Sequence, residues 1–265
     1  MDELVHRRTD GGVATITLDS PANRNALSAA LLTQLRGHLT EAIDDEAARV
    51  IVLDHTGPVF CAGMDLKEAR SGVTDSQGEN FPALLEQLWT SPKPVVAKLA
   101  GPARAGGIGI VAACDIAVAA QSATFAFSEV RIGVVPAMIS VVVLPRLDPR
   151  QAHELFLTGE TFDAHRAERI GLINRAVPAE ALDDEVARYC GMLALGGPHA
   201  LAATKALLTG DRAAALREDF ARMRRLSAEH FAGEEGREGM RAFAEKRPAR
   251  WVPGAPTGAT ASKSD

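Results

Sequence analysis

Apolar residues fall into two rhythms along this chain. Alternating or continuous apolar runs of strand length occupy residues 13–18, 50–55, 95–99, 116–119 and 124–127, the first four with Gly, Pro, Asp or Asn at or near an end. Between and after them, apolar positions three and four apart predict helices over 26–43, 81–89, 106–114 and 183–195. Strands that alternate with helices predict an α/β layered architecture with mostly parallel strands. Past Pro198 the strand rhythm stops, and 200–208, 213–231 and 235–246 all read as helices. In the second of these, Leu216, Phe220, Met223, Leu226 and Phe231 form an apolar stripe, which suits packing between subunits or a cap on the chain's own core. Beyond Trp251 the Pro, Gly and small polar residues predict a disordered tail.

Composition narrows the partners. The 265 residues suffice for a sizeable core, and a net charge of -5 with mixed signs offers no basic footprint for nucleic acid. A small-molecule partner is expected instead. Cys61, Cys114 and Cys190 are scattered, odd in number and without CxxC spacing, so they read as buried thiols of a reducing compartment. No cluster has metal-ligand spacing, and none is expected to bind a metal. Residues 1–12 lack the apolar stretch of a secretory signal, and the longest apolar region, 95–120, is interrupted by Lys98, Arg104 and Asp115. The expectation is a cytoplasmic protein with no membrane contact.

Candidate chemistry lies in two glycine-containing segments, Phe60-Cys61-Ala62-Gly63-Met64-Asp65-Leu66 and Ala105-Gly106-Gly107-Ile108-Gly109. If the fold brings such turns together, two backbone N–H groups can face one oxygen and stabilise negative charge there. Gly106 precedes an apolar helical run, so its N–H also stands at the positive end of a helix dipole. Glu129 is the carboxylate with a catalytic setting. Continued as a strand, 124–129 would put Phe125, Phe127 and Glu129 on one face, where desolvation raises a carboxyl pKa. The alternative is a Glu129 beyond the strand end, paired with Arg131 or Arg146.

Five segments taken together resemble the crotonase superfamily of enoyl-CoA hydratases and isomerases. They are Asn23-Arg24-Asn25-Ala26-Leu27-Ser28, the Phe60–Leu66 segment, Gly106-Gly107 with Cys114-Asp115, Phe127-Ser128-Glu129 with Gly133, and Glu238-Gly239-Met240 with Phe243 and Lys246-Arg247. The resemblance runs from Leu4 to about Trp251 and implies a crotonase-like spiral of βαβ units with a C-terminal helical trimerisation region. On it, residues 1–197 form the acyl-CoA-binding core, 198–252 the helical oligomerisation region and 253–265 a disordered tail. It further implies an acyl-CoA thioester substrate, no cofactor besides the coenzyme A of that substrate, and a homotrimer or homohexamer. Its oxyanion donors fall on the N–H groups of Met64 and Gly106, and its catalytic acid on Glu129. Contacts to the coenzyme fall on Arg24, Ala26, Ala62, Gly63, Asp65, Leu66 and Lys246.

One departure is specific. Enoyl-CoA hydratases typically carry a second glutamate three residues after the oxyanion glycine, and this chain has Gly109 there. Gly106-Gly107-Ile108-Gly109 together with Val134-Val135-Pro136-Ala137-Met138-Ile139-Ser140 resembles the methylglutaconyl-CoA-type hydratase branch. The expected reaction is hydration of a 2-enoyl-CoA, with branched or carboxylated acyl groups in range. A Δ3-Δ2 enoyl-CoA isomerase, which needs a single base, is the alternative, and a non-catalytic acyl-CoA-binding protein is a third. The acyl pocket is expected from Met64, residues 69–81 and residues 138–143, with Ser140 and His153 as lesser candidates for polar contacts.

Overall fold

The computed structural model describes residues 2–70, 74–210 and 212–254. It begins with a hairpin, β1 (Val5–Asp10) against β2 (Val13–Leu18), closed by Gly11 and Gly12 at φ 54° and 83°, the positive values that a tight hairpin turn requires. α1 (Ala29–Asp44) follows, then β3 (Val50–His55), α2 (Leu66–Arg70), α3 (Thr74–Thr90), β4 (Val95–Leu99) and β5 (Ala103–Arg104). Next come α4 (Gly106–Ala113), β6 (Ile116–Ala120), β7 (Thr124–Ala126), α5 (Ala137–Val143) and α6 (Pro149–Thr158). The chain ends with β8 (Phe162–Asp163), α7 (Ala164–Arg169), β9 (Arg175–Val177), α8 (Leu182–Ala194), α9 (Pro198–Thr209), α10 (Arg212–Ala232) and α11 (Glu234–Ala244).

A six-stranded sheet runs in the order β1-β2-β3-β4-β6-β9, parallel from β2 onward, with a smaller sheet β5-β7-β8 beside it. Parallel strands are buried on both faces, and the alternation in β3 makes this visible. Ile51 and Leu53 pack with Leu31, Leu35 and Leu88 of α1 and α3, whereas Val50 and Val52 join Val96, Val118 and the Leu182, Val186 and Cys190 of α8. The three thiols are free and buried.

Several sequence expectations shift. β1 and β9 have no counterpart among the five expected strands; their exposed, mixed polar positions hide the apolar rhythm. The helix expected from 26 starts at Ala29 because Ser28 caps it, its side chain accepting the Leu31 N–H at 3.2 Å. The helix expected over 81–89 extends back to Thr74, with Pro82 inside it.

The stripe of 213–231 packs on its own chain at Leu216 and Phe220, which are buried in the main core as α10 lies against α3 and α5. Trp251 to Gly254 of the terminal segment are described as turns and bends, and residues 255–265 of the expected disordered tail lie outside the described residues. Among the described residues no helix is long and apolar enough to cross a membrane.

Candidate active site

The two glycine segments meet because strands deliver them to one place. Cys61 pairs with Ala103 as an isolated bridge, and Leu27 pairs with Met64, so three loops converge at the ends of β3 and β5. Asn25, held at φ 52° and fully buried, fixes the first loop: its side chain donates to Thr56 O and Val59 O at 3.1 and 2.8 Å and accepts the Ser20 N–H. Gly63 adopts φ 89°, and a Cβ placed there would stand 3.0 Å from Ala105 Cβ and 3.6 Å from the Gly106 nitrogen. The positive φ and the close approach both exclude larger residues.

Gly106 opens α4 directly after Ala105, itself strained at φ 46° and ψ -118°. Ala105 O takes the N–H groups of Ile108 and Gly109, and the N–H groups of Met64 and Gly106 donate to no backbone acceptor among the described residues. Both residues line one cavity of about 700 Å³. The arrangement supplies two unspent donors and a helix N-terminus to a single space.

Glu129 lines the same cavity. Its location corrects the strand expectation: β7 ends at Ala126, and Glu129 stands in a single 3-10 turn, Ser128–Ile132, closed by Gly133 at φ 69°. Alternation therefore does not carry it to the face of the phenylalanines. Phe125 and Phe127 instead pack beneath the turn against Phe162 and Phe156.

Burial comes from tertiary packing. α11 seats so closely on the turn that a Cβ at Gly239 would stand 2.1 Å from Ile132 O. Glu129 is 8 % exposed, its Oε2 buried without a hydrogen-bond partner among the described residues, and desolvation pushes its pKa up to about 7. The alternative arginine pairs do not form, since Arg146 donates to Ala112 O and Cys114 O and stacks on Trp89. Arg131 folds its side chain along Gly159.

The position of the missing second acid is closed. A Cβ at Gly109 would lie 2.7 Å from Ile139 Cγ2 and 3.4 Å from the Phe81 ring, so an apolar wall occupies that space. Of the other expected residues, Arg24, Ala62 and Leu66 line the cavity. Arg24 O accepts the Ala62 N–H at 3.1 Å, tying the two segments together. Ala26 is buried beside them without reaching the cavity lining.

Asp65 turns away. Its carboxylate accepts the Lys67 and Glu68 N–H groups at the start of α2 and Asn23 Nδ2 at 2.7 Å, a structural set of bonds. Lys246 is exposed just past α11 and stands outside the lining. Ser140 donates to Ala137 O within α5, and His153 Nδ1 bonds Pro149 O on an exposed helix face. Within 69–81, Phe81 lines the cavity; residues 71–73 lie outside the described residues, and of the side chains at 69–78 nothing is described.

The sequence also missed a roof. Phe231, Ala228 and Ser227 of α10 with Met240 and Phe243 of α11 line the cavity, although their spacing signalled only an amphipathic helix. Among the described residues no group of three or more His, Cys, Asp or Glu side chains is placed to hold a metal ion.

Comparison with known proteins decides the family. The model of the enoyl-CoA hydratase/isomerase family matches residues 8–253. The chain belongs to this family, within the crotonase superfamily. A solved enoyl-CoA hydratase from Mycobacterium avium superposes with a TM-score of 0.87 at 45% identity, covering 95% of this chain and 100% of that one. The mouse enoyl-CoA hydratase domain-containing protein 3, mitochondrial, is 34% identical over 94% of this chain and 84% of its own length. A carnitinyl-CoA dehydratase of Proteus mirabilis is 33% identical over 95% of this chain and 99% of its own. The family acts on acyl-CoA thioesters, and a cavity bearing two free N–H groups and one neutral-range carboxyl suits that chemistry.

Proposed function

We propose that this protein is an enoyl-CoA hydratase that adds water across the 2,3 double bond of an acyl-CoA thioester. The observation that carries the reading is the Glu129 carboxyl, desolvated and unpartnered in the cavity onto which the Met64 and Gly106 N–H groups open. The thioester oxygen accepts both N–H groups, and negative charge grows on it as a water oxygen bonds to C3. Ionised Glu129 takes the proton that this water releases and returns it to C2 as the enolate collapses. A pKa of about 7 suits both halves of that exchange.

Arg24, Ala62, Gly63 and Leu66, with Ala26, Asp65 and Lys246 around them, are the proposed coenzyme A side of the site, and no further cofactor is invoked. Residues 134–139 run along the cavity, which supports the methylglutaconyl-CoA-type reading with a branched or carboxylated acyl group. Residues 198–252 are proposed as an oligomerisation region of a trimer or hexamer, supported by Leu207 and Leu208, which are 80% and 81% exposed. Three buried free thiols support a reducing, cytoplasmic setting.

One observation favours a second reading. The apolar wall of Ile139 and Phe81 at Gly109 leaves Glu129 as the single acid lining the cavity among the described residues, which is sufficient for a Δ3-Δ2 isomerase. There Glu129 lifts a C2 proton and returns it at C4, and water takes no part. Incubation with crotonyl-CoA, a branched glutaconyl-type enoyl-CoA and a 3-enoyl-CoA separates the two. Loss of the 2-enoyl absorbance is expected. Retention of that absorbance with conversion of the 3-enoyl substrate overturns hydration in favour of isomerisation.

A further inference from the structure

Cys61 takes no part in proton transfer: it is fully buried, and desolvation pushes its thiol up to about 12. Its place in the fold is nevertheless unusual, because its side chain touches both glycine turns. Sγ accepts the Gly63 N–H at 3.4 Å, and a Cβ at Gly107 would stand 2.8 Å from Cys61 Cβ and 3.1 Å from Sγ. Its backbone is clamped to the same neighbours, with its N–H to Pro102 O at 3.4 Å and its carbonyl accepting the Arg104 N–H at 3.0 Å. One contact is made on the residue before the Met64 donor and the other on the residue after the Gly106 donor.

We infer that Cys61 is a positioning residue: wedged between the two turns, its thiol side chain sets the distance and aim of the Met64 and Gly106 N–H groups. The inference rests on the proposed reading of those groups as an oxyanion hole. Sulfur suits the wedge because it is large and forms a long bond to Cβ. A hydroxyl is shorter and leaves the Gly63 or the Gly107 contact slack, and a methyl group abolishes the hydrogen bond. Donors misplaced by a fraction of an ångström lose transition-state stabilisation while ground-state binding, spread over the whole coenzyme, changes little.

The test uses Cys61→Ala and Cys61→Ser with two readouts. One is steady-state turnover of the active enoyl-CoA substrate, and the other is the near-ultraviolet enolate band of bound acetoacetyl-CoA, each scaled to folded protein. Both variants are expected to lose about 10-fold or more in kcat with KM held within a few-fold, and to bind acetoacetyl-CoA with a smaller enolate fraction than the unaltered protein. Unchanged kcat and enolate band in both variants overturn the inference. So does a loss of activity that disappears once it is scaled to folded protein. An unaltered protein that raises no enolate band overturns the oxyanion reading itself, a result distinct from variants that match a positive control. If Cys61→Ala fails to fold, Cys61→Ser, which keeps an acceptor of similar shape, carries the same comparison.

Discussion

The two sides of the cavity are built by different means. On one side the proposed chemistry belongs to the backbone: Met64, directly after Gly63, and Gly106 present N–H groups fixed by strand ends, a helix start and, at both glycines, neighbours too close for a Cβ. On the other side it belongs to one side chain, Glu129, buried in a 3-10 turn on which α6 and α11 pack. A backbone site tolerates change in its side chains and fails when its torsions or spacing change. A desolvated acid depends on its own functional group and on distant packing.

The largest expected effect falls on the acid side. Glu129→Gln keeps size and burial while removing proton exchange, so turnover drops by about 10²–10⁴ with acyl-CoA affinity nearly unchanged in a binding titration. Equal turnover would remove Glu129 from the chemistry.

On the backbone side, Gly63→Ala forces a residue with a Cβ to φ 89°, 3.0 Å from Ala105 Cβ. It is expected to cost about 1–3 kcal/mol in denaturant unfolding, and to reduce kcat by about 10²–10³ as the Met64 donor moves.

A third experiment isolates desolvation through pH. The folded pKa of Glu129, about 7, lies above its ordinary 4.5, so between those values the folded state binds more protons than the unfolded state. Stability attributable to this group is therefore present below pH 4.5, declines as pH rises toward 7 and is flat above. Glu129→Gln removes that decline and is expected to be more stable than the parent at pH 8 by up to roughly 3 kcal/mol, the gap closing toward pH 5. A gap that is constant with pH would place the carboxyl in water.

The smallest effect is expected at Met64, whose side chain lines the cavity while its N–H does the proposed work. Met64→Leu should change stability by less than about 1.5 kcal/mol and leave turnover within a few-fold. A loss as large as that of Gly63→Ala would mean that the side chain, and not the amide, carries the function of this side.

Legibility followed the same division. The glycine turns were readable because their constraint is local, a positive φ at Gly63 and a helix start at Gly106, and the family pattern of residues fixed their pairing. Glu129 was singled out by the family pattern and by an alternation that the chain does not follow, since β7 stops at Ala126 and a 3-10 turn takes over. The desolvation expected from the alternation is present, for a reason outside that stretch, in the packing of α6 and α11 on the turn. The Asp65 side chain shares a segment with Ala62 and Leu66, which line the cavity, yet it caps α2. Motif membership does not state which way a side chain points.

By itself, then, the amino-acid sequence determined the layered α/β plan, the family pattern, the two glycine turns and the replacement of a second acid by Gly109, because each is expressed in residue type at short range. Only the tertiary structure decided that Ile139 and Phe81 wall off Gly109, that α10 and α11 roof the cavity, and that Cys61 stands between the turns. Those facts depend on residues tens of positions apart meeting within a few ångströms. A carboxyl becomes an acid–base group near neutral pH only when such contacts exclude water from it.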